Sequence, residues 1–244
     1  MRIMRLAAVA FLTMSVVSSA EIPSEVQKAI DAYRGALTAA QQRSTDGAIE
    51  RAFAALTSAR DALLQTTGGQ TALEALSPAD FDRVTAAMTG AVIGRDEVLV
   101  VEVDTGYFLK LAVSRGSSVD RAFFAARKAT YPESTWPIYV EQQTDYSGCT
   151  RFGTSTLVSE YRRWTRFTGE FPGRYTAAVR REVERVSNEL TQSTCACGTN
   201  ASVEQELGQF LRVFPRAPIS AVVSARLRAV RAGRSDIRQQ CISG

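Results

Sequence analysis

Histidine is absent from the 244 residues. The chain therefore cannot supply a Ser-His-Asp or Cys-His nucleophile system, nor a zinc site built on imidazole. Acid–base work would fall to Asp, Glu, Tyr, Cys or Lys. Glu133, Glu141 and Asp145 stand in or beside an irregular stretch that also holds Trp136, Tyr139 and Tyr146. Two carboxyls held several ångströms apart in an aromatic cleft are what glycosidic bond cleavage requires. On that reading the chain is an envelope hydrolase acting on a polysaccharide. The competing reading makes these residues solvated loop acids, with Trp136 plugging the core. Asp104-Thr105-Gly106 follows an apolar run and has the local form of an aspartic protease loop. That chemistry needs two carboxylates sharing a proton between β-rich lobes. One triplet in a strand-poor chain reads instead as the cap of a helix. Neither a Gly-rich phosphate loop nor calcium-loop spacing is present, so no metal or cofactor is expected. Asn200-Ala201-Ser202 is a formal glycosylation triplet.

The thiols point to a compartment rather than to catalysis. Residues 1–20 have the three parts of a secretory signal. Arg2 and Arg5 come first, an apolar centre fills 6–17, and Ser18-Ser19-Ala20 precedes Glu21. The apolar run is too short to span a bilayer, and no later run is long enough. Cys149, Cys195, Cys197 and Cys241 are even in number, as expected of a chain that matures in an oxidising space. A Cys195–Cys197 ring would be very small and strained. That leaves 149–195 with 197–241, or 149–197 with 195–241. Either choice closes loops of about 45 residues, worth about 4 kcal/mol each in the chain-entropy model. Cys-Ala-Cys lacks the spacing of a thiol exchanger, so the cysteines read as disulfide braces. The expected location is secreted or periplasmic.

Charge is distributed unevenly. Lys28, Lys110 and Lys128 are the only lysines among 29 basic residues. Residues 151–244 carry 15 arginines against 8 acids, a net of +7, whereas 21–150 carry 12 bases against 17 acids, a net of −5. The densest basic stretch holds Arg216, Arg226, Arg228, Arg231, Arg234 and Arg238. Such a stretch can meet an acidic protein or an anionic envelope surface. Nucleic acid is not an expected partner of an exported chain. The bland alternative is that the acidic and basic halves pack against each other.

The elements that would position these residues are mainly helical. Val26, Ala29, Ile30, Tyr33, Leu37 and Ala40 form one apolar stripe, with Ser24 and Gln27 as its capping box. Ile49, Phe53, Leu56, Ala59 and Leu63 form a second, stopped by Gly68-Gly69. Together they predict an antiparallel hairpin turning at 43–47. Ser77-Pro78 opens a further helix. Residues 98–103 are a β-branched run and predict a short buried strand. Asp104 caps a helix to about Arg115. Ser117 with Asp120 starts another, carrying Phe123 and Phe124 and ending at Pro132. A short strand is possible at 138–140. Helical patterning resumes at Thr154. Its strongest run is Tyr175, Val179, Val183, Val186 and Leu190, with Arg185 and Glu189 one turn apart. Ser202 with Gln205 begins the next helix, and Pro215 and Pro218 separate it from a last one ending near Arg231.

Aromatic-proline pairs recur at Tyr131-Pro132, Phe171-Pro172 and Phe214-Pro215, with Phe124, Trp164 and Leu207 each eight residues before the proline. Leu207-Gly208 with Phe210, Phe214-Pro215 and Pro218 resembles the closing half of a tetratricopeptide repeat. The small residues and the complete pattern of that repeat are missing, so it implies no family here. The expected fold is a mostly α, disulfide-braced, compact multi-helix domain over 21–244, with seven to nine helices and one or two short strands. Its parts are a helical hairpin at 21–69, a mixed segment at 70–150 and a basic helical part at 151–244. The expected function is non-catalytic binding of an envelope protein or anionic surface through the Arg-rich part.

Overall fold

The computed structural model describes residues 22–42, 46–95, 99–131, 149–192, 195–234 and 237–239. Residues 1–20, expected as an export signal, the acids Glu133, Glu141 and Asp145 with their neighbouring aromatics, the strand expected at 138–140, and Cys241 lie outside the described residues. Helices α1 (Ser24–Gln42) and α2 (Ala48–Gln65) form the hairpin that the two stripes predict. Every stripe residue except the half-buried Ala29 is buried. The box expected at Ser24 does not form. Ser24 is itself the first helical residue, the Gln27 N–H bonds to the Pro23 carbonyl, and the Gln27 amide reaches forward to Asp31.

Gly68-Gly69 ends α2 but does not end helicity. Gly68 adopts φ +79°, which glycine tolerates without cost, and α3 (Gly69–Ala75) follows at once. A Cβ on Gly69 would lie 2.7 Å from the Leu63 carbonyl oxygen, so the close turn requires glycine there as well. Ser77 caps α4 (Pro78–Ala87) by accepting the Asp80 N–H. Strand β1 (Ala91–Gly94) pairs antiparallel with β2 (Val100–Val103), from Ala91↔Val103 to Gly94↔Val100. β2 falls in the expected run, whereas β1 is too short and glycine-bounded to be read from its pattern. Asp104 caps α5 (Thr105–Arg115), and Ser117 with Asp120 forms the full capping box of α6 (Ser118–Thr130).

The C-terminal half holds α7 (Thr156–Glu170), α8 (Thr176–Thr191), α9 (Asn200–Val213) and α10 (Ser220–Arg231). The box that opens α9 uses Thr199 and Ser202 rather than Ser202 and Gln205. Gln205 donates instead to the Gly153 carbonyl. Strands β3 (Thr150–Arg151), β4 (Cys195–Cys197) and β5 (Arg238–Gln239) form a parallel sheet in that order. Ten helices and five strands are thus described, more of both than the periodicity indicates, because α3 and four of the strands are too short to carry a period. The Cys149–Cys197 disulfide closes a separation of 48 residues beside the β3–β4 pair, which excludes the first of the two pairings. Cys195 carries no free thiol either.

The aromatic-proline recurrence is one device used three times. Tyr131, Phe171 and Phe214 are the C-cap residues of α6, α7 and α9, each N–H bonding back to the carbonyl four residues earlier. Phe124, Trp164 and Leu207 are fully buried one turn or more inside.

Two apolar cores meet across α7 and α8. The first gathers Phe53, Phe108, Phe123 and Phe124 with Trp164, Phe167 and Tyr175. The Phe123 and Tyr175 rings stack at 3.8 Å. The second gathers Tyr161, Val186, Leu207, Phe210, Val223 and Val230. Both bridging helices begin unusually, because Ser155 and Tyr175 precede them at φ +65° and +50° and neither caps with its own side chain. A carboxylate from another helix serves instead. The fully buried Glu206 of α9 accepts the N–H groups of Gly153 (3.0 Å), Ser155 (2.7 Å) and Val158 (3.3 Å). Glu50 of α2 accepts the Tyr175 N–H and the Arg174 Nε–H. Each arrangement neutralises the positive end of a helix dipole and satisfies backbone donors otherwise left open.

Charge-assisted bonds of this kind contribute about 1.5–3 kcal/mol each, and orphaning buried donors adds to the loss. Glu206→Ala should therefore lower unfolding free energy by about 3 kcal/mol in urea titration. A loss below about 0.5 kcal/mol would contradict the capping role.

Candidate functional site

Four of the seven described acids in the C-terminal half point inward. Glu160, Glu182, Glu189 and Glu206 are all buried. The first three converge on one guanidinium. Arg185 donates Nη2–H to Glu160 at 2.6 Å, Nη1–H to Glu189 at 2.8 Å and Nε–H to Glu182 at 3.3 Å. Glu182 also accepts the Tyr131 hydroxyl at 2.8 Å and Arg127 Nη1–H at 3.2 Å. Arg226 Nη1–H bonds to the Glu189 carbonyl at 2.7 Å. The cluster thereby ties together α6, α7, α8 and α10.

Sequence spacing explains why these acids are inside. Glu182 and Glu189 lie on the stripe of Val179, Val186 and Leu190, Glu160 on that of Leu157, Tyr161 and Trp164, and Glu206 on that of Val203, Leu207 and Phe210. The Arg185–Glu189 pair expected one turn apart forms, but inside the protein rather than on its surface. Buried ions persist only when paired and hydrogen-bonded, and the guanidinium fork meets that demand for three carboxylates at once. It also occupies the position a cation would take. Among the described residues no acidic or cysteine cluster is arranged to hold a metal ion.

The outward consequence is a basic surface. Of the fifteen arginines in this half, eleven are exposed: Arg151, Arg162, Arg166, Arg180, Arg181, Arg212, Arg216, Arg228, Arg231, Arg234 and Arg238. Glu170 and Glu184 are the exposed described acids, and Glu204 is half-buried. Five of the six arginines expected as a binding set are at this surface. Arg226 is not. It is buried and serves the internal cluster, because it falls on the inner face of α10 beside Val223 and Val230. Arg231 pairs with Glu204, Arg166 with Glu170 and Arg180 with Glu184. Arg162, Arg181, Arg212, Arg216 and Arg234 form no ion pair with a described residue.

Sequence patterning draws attention to the last helix and misses α7. Between α6 and α7 lies a groove of about 380 Å³, lined by Ala122, Ala125 and Ala126 on one side and by Arg162, Arg163 and Arg166 on the other. Phe167 and Phe171 contribute apolar surface at one end. Arg163 is steadied by a 3.0 Å bond to the Thr130 hydroxyl, and Arg162 lies 5.9 Å from the Phe214 ring, toward the α9–α10 connection that carries Arg216. Three arginines within five positions of a helix were the available signal. Asp104, the residue of the protease-like triplet, accepts the Tyr107 N–H and caps α5, as the sequence reading expects.

The two halves are joined by other groups. Arg174 Nε–H bonds to Glu50 at 2.7 Å and Nη1–H to Asp46 at 3.0 Å, and the Tyr175 hydroxyl donates to the buried Asp120 at 2.7 Å. Burial, reinforced by Asp120, raises the Tyr175 hydroxyl far above its ordinary range, so it remains a donor. Apart from Arg151, none of the exposed arginines forms an ion pair with a described residue of the N-terminal half.

Burial pushes the Glu189 carboxyl up to about 7 despite the attraction of Arg185, and raises Glu160 in the same direction. A folded-state value above the unfolded one means that the folded protein holds this proton more tightly. The associated stabilisation is complete below the ordinary carboxyl range near 4.5 and is lost as pH rises through about 7. Glu189→Gln, which cannot ionise, should gain stability relative to the parent between about pH 5 and pH 8. The gain should be at least ~1.4 kcal/mol, the equivalent of one unit, in paired urea titrations. A difference that stays flat across that range would contradict the assignment.

No helix of the described residues is long and apolar enough to cross a membrane. Comparison of the chain with models of known protein families, with curated proteins and with solved structures finds no match.

Proposed function

We propose that the chain is a non-catalytic binding protein of an oxidising, extracytoplasmic space, whose C-terminal half presents arginines to an anionic envelope partner. One observation carries this reading. Inward placement of four glutamates leaves eleven exposed arginines against two exposed acids over the described part of 151–239. The alternative that the acidic and basic halves neutralise each other is disfavoured, because the described charged contacts of their junction are made by Arg174, Tyr175, Arg127 and Glu182, and no exposed arginine other than Arg151 pairs across it with a described residue.

The cysteine usage supports the compartment. Cys149–Cys197 is a long-loop brace of a kind that persists in secreted and periplasmic proteins, and 1–20 reads as the export signal. A basic surface of this kind attracts polyanions over roughly a Debye length, ~8–10 Å at 0.10–0.15 M salt.

Position, rather than net charge, is the testable content. The protein should be retained on immobilised poly-L-glutamate at low ionic strength and released as salt is raised. Arg216→Glu/Arg228→Glu/Arg234→Glu should abolish retention. Lys28→Glu/Arg34→Glu/Lys110→Glu changes the net charge equally on the opposite half and should leave most of it. Equal losses in the two triple variants, or passage of the parent straight through at low salt, would contradict the proposal.

A further inference from the structure

We infer that the groove between α6 and α7 is the docking site for an acidic amphipathic helix of a partner protein. The inference rests on the anionic-partner reading above and specifies its site and ligand. The groove follows α7 from Ser159 to Phe171, about three helical turns or ~18 Å at 1.5 Å per residue. Its α7 wall presents Arg162, Arg163 and Arg166, and one carboxylate, Glu170, lies among them. Glu170 is engaged by Arg166 at 2.6 Å. The wall thus keeps two guanidiniums in excess.

The opposite wall and one end of the groove are different in kind. Ala122, Ala125 and Ala126 lie one turn apart on α6 and present methyl groups only, and Phe167 and Phe171 close the apolar surface at the end of α7. Small side chains let a second backbone approach closely, and an apolar wall beside a cationic rim asks for a ligand with the same two-sidedness. A helix answers this demand directly. Apolar side chains at i, i+3, i+4 and i+7 fill the alanine side, and acids on the adjoining face meet guanidiniums set one turn apart. A flat bilayer surface cannot present an apolar ridge of this length inside a groove. A small organic anion would meet the arginine rim without running the ~18 Å length of the groove. Charge complementarity together with groove length therefore selects the acidic helix.

Three synthetic peptides of about 15 residues test this by fluorescence anisotropy with the purified chain. The first places Leu at i, i+3, i+4 and i+7 with Glu on the adjoining face. The second is a scramble of identical composition. The third replaces Glu by Lys. The first should bind at least about tenfold more tightly than the scramble, and the third should not bind. Arg162→Glu/Arg166→Glu should reduce binding of the first peptide at least about tenfold. Ala125→Trp, at an exposed position that the fold does not need, should reduce it comparably by filling the groove, with circular dichroism and melting unchanged. Equal binding of peptide and scramble, or indifference to Ala125→Trp, would overturn the groove while leaving a charge-only surface intact. So would binding to vesicles rich in anionic lipid without binding to the first peptide. Failure to bind the peptides, the vesicles and poly-L-glutamate alike would overturn the parent reading as well.

Discussion

The buried carboxylates of the C-terminal half are the constraint from which the rest follows. A glutamate on the apolar stripe of a helix can be accommodated only if its charge is met inside the fold. This chain meets it in two ways. Glu206 is placed against the backbone donors at the start of α7, and Glu160, Glu182 and Glu189 are placed around the Arg185 fork. Either solution fixes the relative position of helices distant in sequence. A direct consequence is that the acids which would otherwise balance the arginines on the surface are withdrawn from it. Fold and surface charge are therefore two results of one arrangement.

The same logic joins the two cores. Tyr175 stands in the left-handed region, stacks on Phe123 and donates to Asp120, while its own N–H is taken by Glu50. A residue so placed has aromatic, hydroxyl and backbone attachments to the N-terminal hairpin and to α6, so α8 cannot shift without disturbing all three. The disulfide between Cys149 and Cys197 adds a covalent tie near the β3–β4 pair, where short two- and three-residue strands bury little surface. In small structures of that kind, a cross-link supplies restraint that apolar contact cannot.

Much of this was legible in the sequence, and the reasons for the remainder are physical. The hairpin, the Asp104 cap, the Ser117–Asp120 box and the helix ends at Tyr131-Pro132 and Phe214-Pro215 are readable because each has a local signature. β1, β3, β4 and β5 were not, since strands of two to four residues have no period to detect and owe their existence to a partner far along the chain. The trans caps Glu50 and Glu206 were hidden for the same reason, because a cap supplied by another helix leaves no mark beside the helix it serves. Arg226 belongs to the densest basic stretch yet faces inward, because helical phase and not charge density decides which side of a helix a residue occupies. Its position between Val223 and Val230 marked it as inward-facing. Glu182, Glu189, Glu160 and Glu206 carried the same mark, a charge on an apolar stripe. For the α6–α7 groove, the three arginines of α7 were visible but the alanine wall opposite them was not, since pairing two helices side by side is a tertiary fact.

Carbodiimide-driven amidation of carboxyls in the native protein, read by peptide mass spectrometry, tests the inward placement of the glutamates most directly. Glu170 and Glu184 should be modified readily, whereas Glu160, Glu182, Glu189 and Glu206 should stay unmodified until the protein is unfolded. Modification of those four at the rate of the exposed pair would show that the arginines are balanced on the surface, and the account of fold and binding face would fail together.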